Sequence, residues 1–391
     1  MQAPDRSTDP YRVVIVGAGV AGLEAALALR ELAGDRASVT LLAPNDEFVY
    51  RPMSVREPFG GAVARRYPLD LVAREVGATR CVDGFKWLDP DAQVIHTDDG
   101  AELHYDAALV AIGATRMASL QHVLTLDDRK LDEQLHGLIQ DVEEGFVKRV
   151  AFVVPSTHSW PLPAYELAMM TAKRADEMNV ELQVTVVTPE AEPLAVFGPS
   201  VSTAVAETLA DRGVEFVTAT DCQVREAGKL VIPHTGAVLE FDRIVALPEL
   251  YGAHLAGVPT TARDGFVTVD HNCRVIGLEH VFAAGDTTDF PVKLGGVAAL
   301  QADAAAEAIA AEAGAEVDPQ PIDPVIHGIL LGGRRPLYIR ARIIDGRGTG
   351  STVSVEPDSD TPAKIDAAYL GPFLEDLDRR AGSGAAPTSA R

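Results

Sequence analysis

The sequence predicts an α/β protein built on two doubly wound parallel sheets, the first of them discontinuous in the chain. Three observations carry this. An apolar run, YRVVIV at 11–16, meets a glycine-rich turn, a helical stretch at 23–32 with alanine and leucine at helical spacing, and then the run SVTLL at 38–42. A second strand, helix, strand succession begins with RVAFVV at 149–154, passes through a helix at 163–178 and returns as LQVTVVT at 182–188. Strands of buried type then recur late, as FDRIVAL at 241–247 and HVFAA at 280–284. Strands apolar on both faces that alternate with helices are the pattern of a parallel sheet covered on both sides.

The remaining elements fit that plan. A helix near 200–212 leads to VEFV at 214–217, and an alanine-rich helix covers 296–312. At about 150 residues per domain, 391 residues imply two or three domains. We expect the first unit at 1–117 and 236–325, the second inserted at 118–235, a packing or dimer segment at 326–380 and a flexible tail at 381–391. Residues 326–340 and 364–374 read as a strand pair followed by a short amphipathic helix.

Composition narrows the function classes. Hydrophobic residues make up 47% and charged residues 23%, as in a soluble globular protein. A formal net charge of -23 excludes a nucleic-acid partner, because phosphate binding needs clustered lysine and arginine. No apolar run reaches the ~18 residues of a membrane span, and the opening MQAPDRSTDP lacks a basic and then apolar leader, so a cytoplasmic protein is expected. Glu375, Asp376 and Asp378 near the C-terminus limit membrane contact to the periphery. Cys81, Cys222 and Cys273 are too scattered for a disulfide framework or a cysteine metal site, and no metal is expected.

The chemistry begins at Gly17, Ala18, Gly19, Val20, Ala21 and Gly22, a G-x-G-x-x-G loop between an apolar strand and a helix. Its glycines permit a tight turn, close approach of backbone to a pyrophosphate and close helix packing, while the helix N-terminus attracts the anion. The first unit is thus expected to be a Rossmann-like dinucleotide-binding domain. The acid that usually meets a ribose about 20 residues on is missing, since that place holds Leu42 and Ala43. Asn45, Asp46 and Glu47 in the following loop are the available substitutes.

Two further segments, YDAALVAIGA at 105–114 and GLEHVFAAGD at 277–286, are strands ending in small-residue turns. Together with the glycine loop they resemble the pyridine nucleotide-disulfide oxidoreductase superfamily, and within it sulfide:quinone oxidoreductases and type II NADH dehydrogenases. The resemblance covers about residues 1–325. It implies two Rossmann-like dinucleotide-binding domains, a discontinuous one for FAD and an inserted NAD-like one, and FAD as cofactor, held by the glycine loop, Asn45, Arg51, Phe85, Ala111, Gly113, Gly285, Asp286 and Lys293. The segment VTLLAPNDEFVYRP at 39–52, which includes Tyr50, would lie near the flavin, and PVKLGG at 291–296 would approach its ring.

The departures matter as much. Where the superfamily carries a second glycine loop for NAD(P)H, this chain reads VPSTHSWPLPAYE at 154–166, so prolines remove N–H donors and a tryptophan adds bulk. That turn resembles the one in sulfide:quinone oxidoreductases, yet Trp160 stands where those enzymes place a catalytic cysteine, and no cysteine lies in 286–300. Thiolate capture of sulfide therefore lacks its nucleophile. His158 as a proton carrier, Trp160 as a stacking or quinone-lining ring and Lys293 as a positive charge beside the flavin are the catalytic candidates. The expected function is electron transfer from a small donor to a quinone or soluble acceptor without a cysteine relay. The alternatives are an NAD(P)H-dependent ferredoxin or quinone reductase with a diverged nicotinamide site, and a non-catalytic FAD-binding protein. A homodimer is compatible with each.

Overall fold

Val13, Val14, Ile15 and Val16 leave no polar face on the strand Tyr11–Val16, and it takes the centre of a five-stranded parallel sheet. The computed structural model describes residues 9–61, 64–344, 346–357 and 364–383. In the first sheet the strand order is Val281–Ala283, Ala107–Val110, Tyr11–Val16, Ala37–Leu42, Thr79–Cys81. Val16 is in register with Leu42 on one side and Val110 on the other. The chain runs outward from Tyr11–Val16 in both directions, so the crevice where connections diverge opens at the carboxyl end of that strand.

The helices Val20–Ala33 and Gly295–Glu312 pack together over this sheet. Ala25 and Ala26 of the first and Ala302, Ala305 and Ala306 of the second are buried in one core, and such short side chains let the two backbones approach closely. That packing sets the glycine loop beside the 284–287 turn.

The second five-stranded parallel sheet has the order Leu124–Thr125, Arg243–Ala246, Arg149–Val153, Gln183–Val187, Val214–Val217. The helices Leu162–Met178 and Pro199–Asp211 cover it. An antiparallel ribbon, Thr115–Met117 against Glu249–Tyr251, links the two units. The sequence placed the return to the first unit at 236. The strand Arg243–Ala246 instead pairs with Val150 to Val153, because its Ile244, Val245 and Ala246 complete the buried middle of the second sheet.

Among the described residues the C-terminal segment holds three strands where two were expected: Val325–Leu330, Leu337–Ile344 and Arg347–Ser354. Along Leu337–Ile344 every second residue is buried, and Leu337, Ile339, Ala341 and Ile343 join the core of the second unit. Gly348 lies against the main chain of Phe197, where a Cβ would come within 2.3 Å of a backbone atom. The final helix, Leu370–Ser383, starts later than expected and turns Leu370 and Leu374 into the core of the first unit. It takes in 381–383, placed in the tail by the sequence reading; 384–391 lie outside the described residues. Among the described residues no helix is long and apolar enough to cross a membrane.

Candidate functional site

A cavity of about 1360 Å³ runs from the glycine loop, past the 111–113 and 284–286 turns, to Trp160 and the strand Val325–Leu330. The glycine loop is shaped by contacts that no side chain could share. Gly17 has φ +108°, and a Cβ there would lie 2.3 Å from the Ala111 carbonyl oxygen. A Cβ on Gly22 would lie 1.9 Å from the Gly17 carbonyl oxygen. Gly19 differs: nothing lies within 4 Å of its Cβ position, and it opens onto the cavity at the start of the helix Val20–Ala33. That helix has no acidic residue in its first turn and no side-chain cap, so its first N–H groups are available to an anion.

The neighbouring turns are fixed by internal hydrogen bonds. Thr287 Oγ1 accepts the Gly113 N–H at 2.8 Å, and the buried Gln301 Oε1 accepts the Gly285 N–H at 2.7 Å. Asp286 lines the cavity, and among the described residues no donor holds its carboxylate. Burial pushes that carboxyl up, against the pull of Lys293. Lys293 is turned onto this corner: its Nζ donates to the carbonyls of Thr288 and Asp286 and sits 3.8 Å from the centre of the Phe266 ring. Burial pushes its ammonium down to about 8, opposed by Asp286 and Asp289.

Farther along, Arg116 and Arg51 approach the Asp128 carboxylate at 2.9 and 3.5 Å. Arg51 Nε and Asp128 Oδ1 are both buried without a partner in this wall. Asn45 and Phe85 line the other end, and the Arg80 side chain, largely removed from solvent, clamps the Asn45 loop by bonding the Asn45 carbonyl and the Asp46 and Asp70 carboxylates.

Among the catalytic candidates, Trp160 and Lys293 line the cavity and His158 does not. The His158 ring stacks on Tyr251 at 5.6 Å and points Nε2 toward Asp264 at 3.7 Å, because its loop follows the inter-unit ribbon through the Leu250 N–H to His158 carbonyl bond. Tyr50 likewise packs on the core of the first unit rather than facing the cavity. Trp160 presents its edge to Phe197, with ring centres 5.9 Å apart.

The sequence reading missed a pair at the far end. Lys364 Nζ lies 2.8 Å from both oxygens of Glu166, and both side chains line the cavity although almost no surface of either is exposed. Glu166 Oε1 also accepts the Leu331 N–H at 2.9 Å. Burial pushes the Glu166 carboxyl up, and the Lys364 ammonium opposes it. The available signal was one carboxylate inside the apolar helix sequence LPAYELAMM.

At the carboxyl end of the second sheet an acid is taken up by the chain itself. Glu190, just past the strand Gln183–Val187, accepts from Tyr165 Oη at 2.8 Å, Thr188 Oγ1 at 3.1 Å and the Ala195 N–H at 3.1 Å. An acid in this position of a dinucleotide-binding sheet would ordinarily meet a ribose. Here its oxygens are occupied from within, and Pro155 and Pro161 are buried in the turn above.

Fold and crevice define an oxidoreductase of the two-dinucleotide-domain type. The chain belongs to the pyridine nucleotide-disulphide oxidoreductase family, whose model matches residues 11–157 and 161–310. It is 26% identical over 290 residues to an NADH dehydrogenase-like protein of Mycobacterium tuberculosis, covering 70% of this chain and 72% of that one. It is 27% identical over 105 residues to the mitochondrial sulfide:quinone oxidoreductase of Dictyostelium discoideum, covering 26% and 23% of the two chains. In structure it resembles the sulfide:quinone oxidoreductase of Aquifex aeolicus, with a TM-score of 0.79 over 97% of this chain and 93% of that one at 19% identity. The ferredoxin reductase of Rhodopseudomonas palustris gives 0.65 over 85% and 82% at 21% identity.

Proposed function

We propose that this chain is an FAD-dependent oxidoreductase that takes electrons from a small donor and passes them to a quinone or soluble acceptor without a cysteine relay. The observation that carries the reading is the cavity itself, with a glycine cradle at one end and Trp160 and the Glu166–Lys364 pair at the other. Its residues fit FAD. The open space over Gly19 and the free N–H groups of the helix Val20–Ala33 suit a pyrophosphate, the unpartnered Asp286 carboxylate suits hydroxyls, and the orphaned Arg51 Nε suits an acceptor oxygen. Bound FAD would supply the two-electron centre that the side chains lack.

The side chains have separable tasks. Asn45, Phe85, Ala111, Gly113 and Gly285 shape the binding surface, and Lys293 holds the Gly285–Asp286 corner while keeping positive charge there. Trp160, Leu162 and Ile329 make the far end apolar, which favours a planar acceptor over a hydrated one. Glu166 and Lys364 form a hydrogen-bonded acid–base pair at that end, able to exchange a proton with a bound acceptor.

None of the three cysteines lines the cavity, and burial pushes the thiols of Cys222 and Cys273 up, the first to about 11. A thiolate relay has no group to run on. NAD(P)H is disfavoured as donor by the internally occupied Glu190 and the buried prolines, although relatives named for NADH keep it in view as a test arm. Anaerobic mixing of the purified protein with NADH, NADPH, sulfide and quinols, followed by flavin absorbance, checks the reading. Bleaching by a quinol or another small donor supports it; bleaching by micromolar NADH would replace it with the nicotinamide-dependent alternative; a flavin that no donor reduces would leave a non-catalytic protein.

A further inference from the structure

We propose that Glu24 and Asp303 form a proton-sharing latch that docks the strap of residues 364–369, and with it Lys364 and Ile365, onto the cavity. The inference goes beyond the proposed redox function and does not depend on it. Glu24 lies within the helix Val20–Ala33 and is 0% exposed. A buried carboxylate needs partners, and among the described residues no lysine or arginine pairs with Glu24. Its partners are main-chain groups from the other end of the chain: the Tyr369 N–H donates to Oε1 at 2.9 Å and the Leu370 N–H to Oε2 at 2.5 Å. Glu24 thereby also places negative charge at the start of the final helix, where the dipole favours it.

Asp303, on the helix Gly295–Glu312, faces Glu24 across the helix pair and hydrogen-bonds it, while its own Oδ1 is buried and meets no donor. Two carboxyls in one buried space do not both ionise. Burial first, then Glu24, pushes Asp303 up to about 8, and Glu24 is raised too, so one proton is shared by the pair. The other charged or titratable groups around it are Glu307 on the Asp303 helix, Glu31 on the Glu24 helix, and Asp366 and Tyr369 on the strap. His327, on the strand Val325–Leu330, meets Asp366 through Nδ1 at 2.6 Å.

The strap ties the two units together over the cavity. Lys364 pairs with Glu166 of the second unit, and the Ile365 side chain occupies the space where a Cβ on Gly295 would come within 2.8 Å of it. Undocking the strap would return Asp303 toward the ordinary carboxylate range, so docking is linked to proton uptake. The sign follows: docking is tightest in acid, weakens as pH rises from the ordinary carboxylate range toward 8, and is flat above that, by at most about tenfold per pH unit for one proton.

Hydrogen exchange on the purified full chain between about pH 5.5 and 9, corrected for the intrinsic rate, reads the latch at the amides of Tyr369 and Leu370. Protection should fall with rising pH and level off above about 8. Asp303→Asn keeps the hydrogen bond to Glu24 without a titrating proton and should flatten the profile; Glu24→Gln should weaken protection at every pH. An unchanged slope in Asp303→Asn overturns the proposal. So does a slope that survives Asp303→Asn and disappears in His327→Gln, which would move the switch to the His327–Asp366 pair. If Asp303→Asn does not fold, the native series decides alone, and flat protection across the range overturns the latch.

Discussion

Lys364 Nζ reaches both carboxylate oxygens of Glu166 at 2.8 Å across 198 residues of chain, and both groups are removed from solvent. A buried pair of this kind gains little over a well-packed apolar pair, but removing one member strands the other. Lys364→Met should therefore cost about 3–5 kcal/mol in denaturant unfolding, because Glu166 is left with only the Leu331 N–H. The double variant Glu166→Leu/Lys364→Met should recover most of that loss. If the single and double variants lose the same stability, the pair is not the reason.

Lys293 gives a pH prediction. Its folded pKa, about 8, lies below that of a free lysine, so the folded state binds fewer protons than the unfolded one between about 8 and 10.5. The stability this group allows is present above the free-lysine range and is lost as pH falls through about 8. Lys293→Met should gain on the native protein as pH falls from about 10 to 7, measured as the difference in urea midpoints. A difference that does not change with pH would show the ammonium to be solvated.

Trp160 should separate acceptors. Trp160→Ala removes the edge contact with Phe197, a ring pair contributing about 0.5–1.5 kcal/mol of stability, and widens the apolar end of the cavity. On the proposed function, KM for a quinone should rise severalfold while KM for a small hydrophilic dye barely moves. Equal changes for both acceptors would place the quinone elsewhere.

The division between what could and could not be read from the sequence follows range. The strand Tyr11–Val16, the glycine loop and the helix Val20–Ala33 were legible because period, turn residues and burial are local properties of adjacent residues. The same holds for the alanine-rich helix Gly295–Glu312. The strand Arg243–Ala246 was assigned to the wrong sheet because its apolar sequence suits the middle of either one. His158 looked like a site residue from its place in the turn, but the direction of its ring is decided by Tyr251 and Asp264, about a hundred positions away. The Glu166–Lys364 and Glu24–Leu370 contacts join distant segments through side-chain geometry, which no local pattern records.

The glycines of the loop make separable predictions although they share one motif. Gly22→Ala would put its Cβ 1.9 Å from the Gly17 carbonyl oxygen, a backbone atom that cannot swing away, so the helix Val20–Ala33 must lift from the sheet. Both thermal stability and flavin retention should fall, with a loss of several kcal/mol as for other overpacked sites. Gly19→Ala meets nothing within 4 Å, and its φ of -86° with ψ of -165° is open to any residue. The protein without flavin should therefore unfold at an unchanged midpoint, while the methyl group enters the space proposed for the pyrophosphate. Purified Gly19→Ala should carry less flavin per chain, by absorbance, and bind added FAD at least tenfold more weakly than the native chain. Normal FAD binding by Gly19→Ala, with an unchanged melting curve, would remove the glycine loop from the cofactor site.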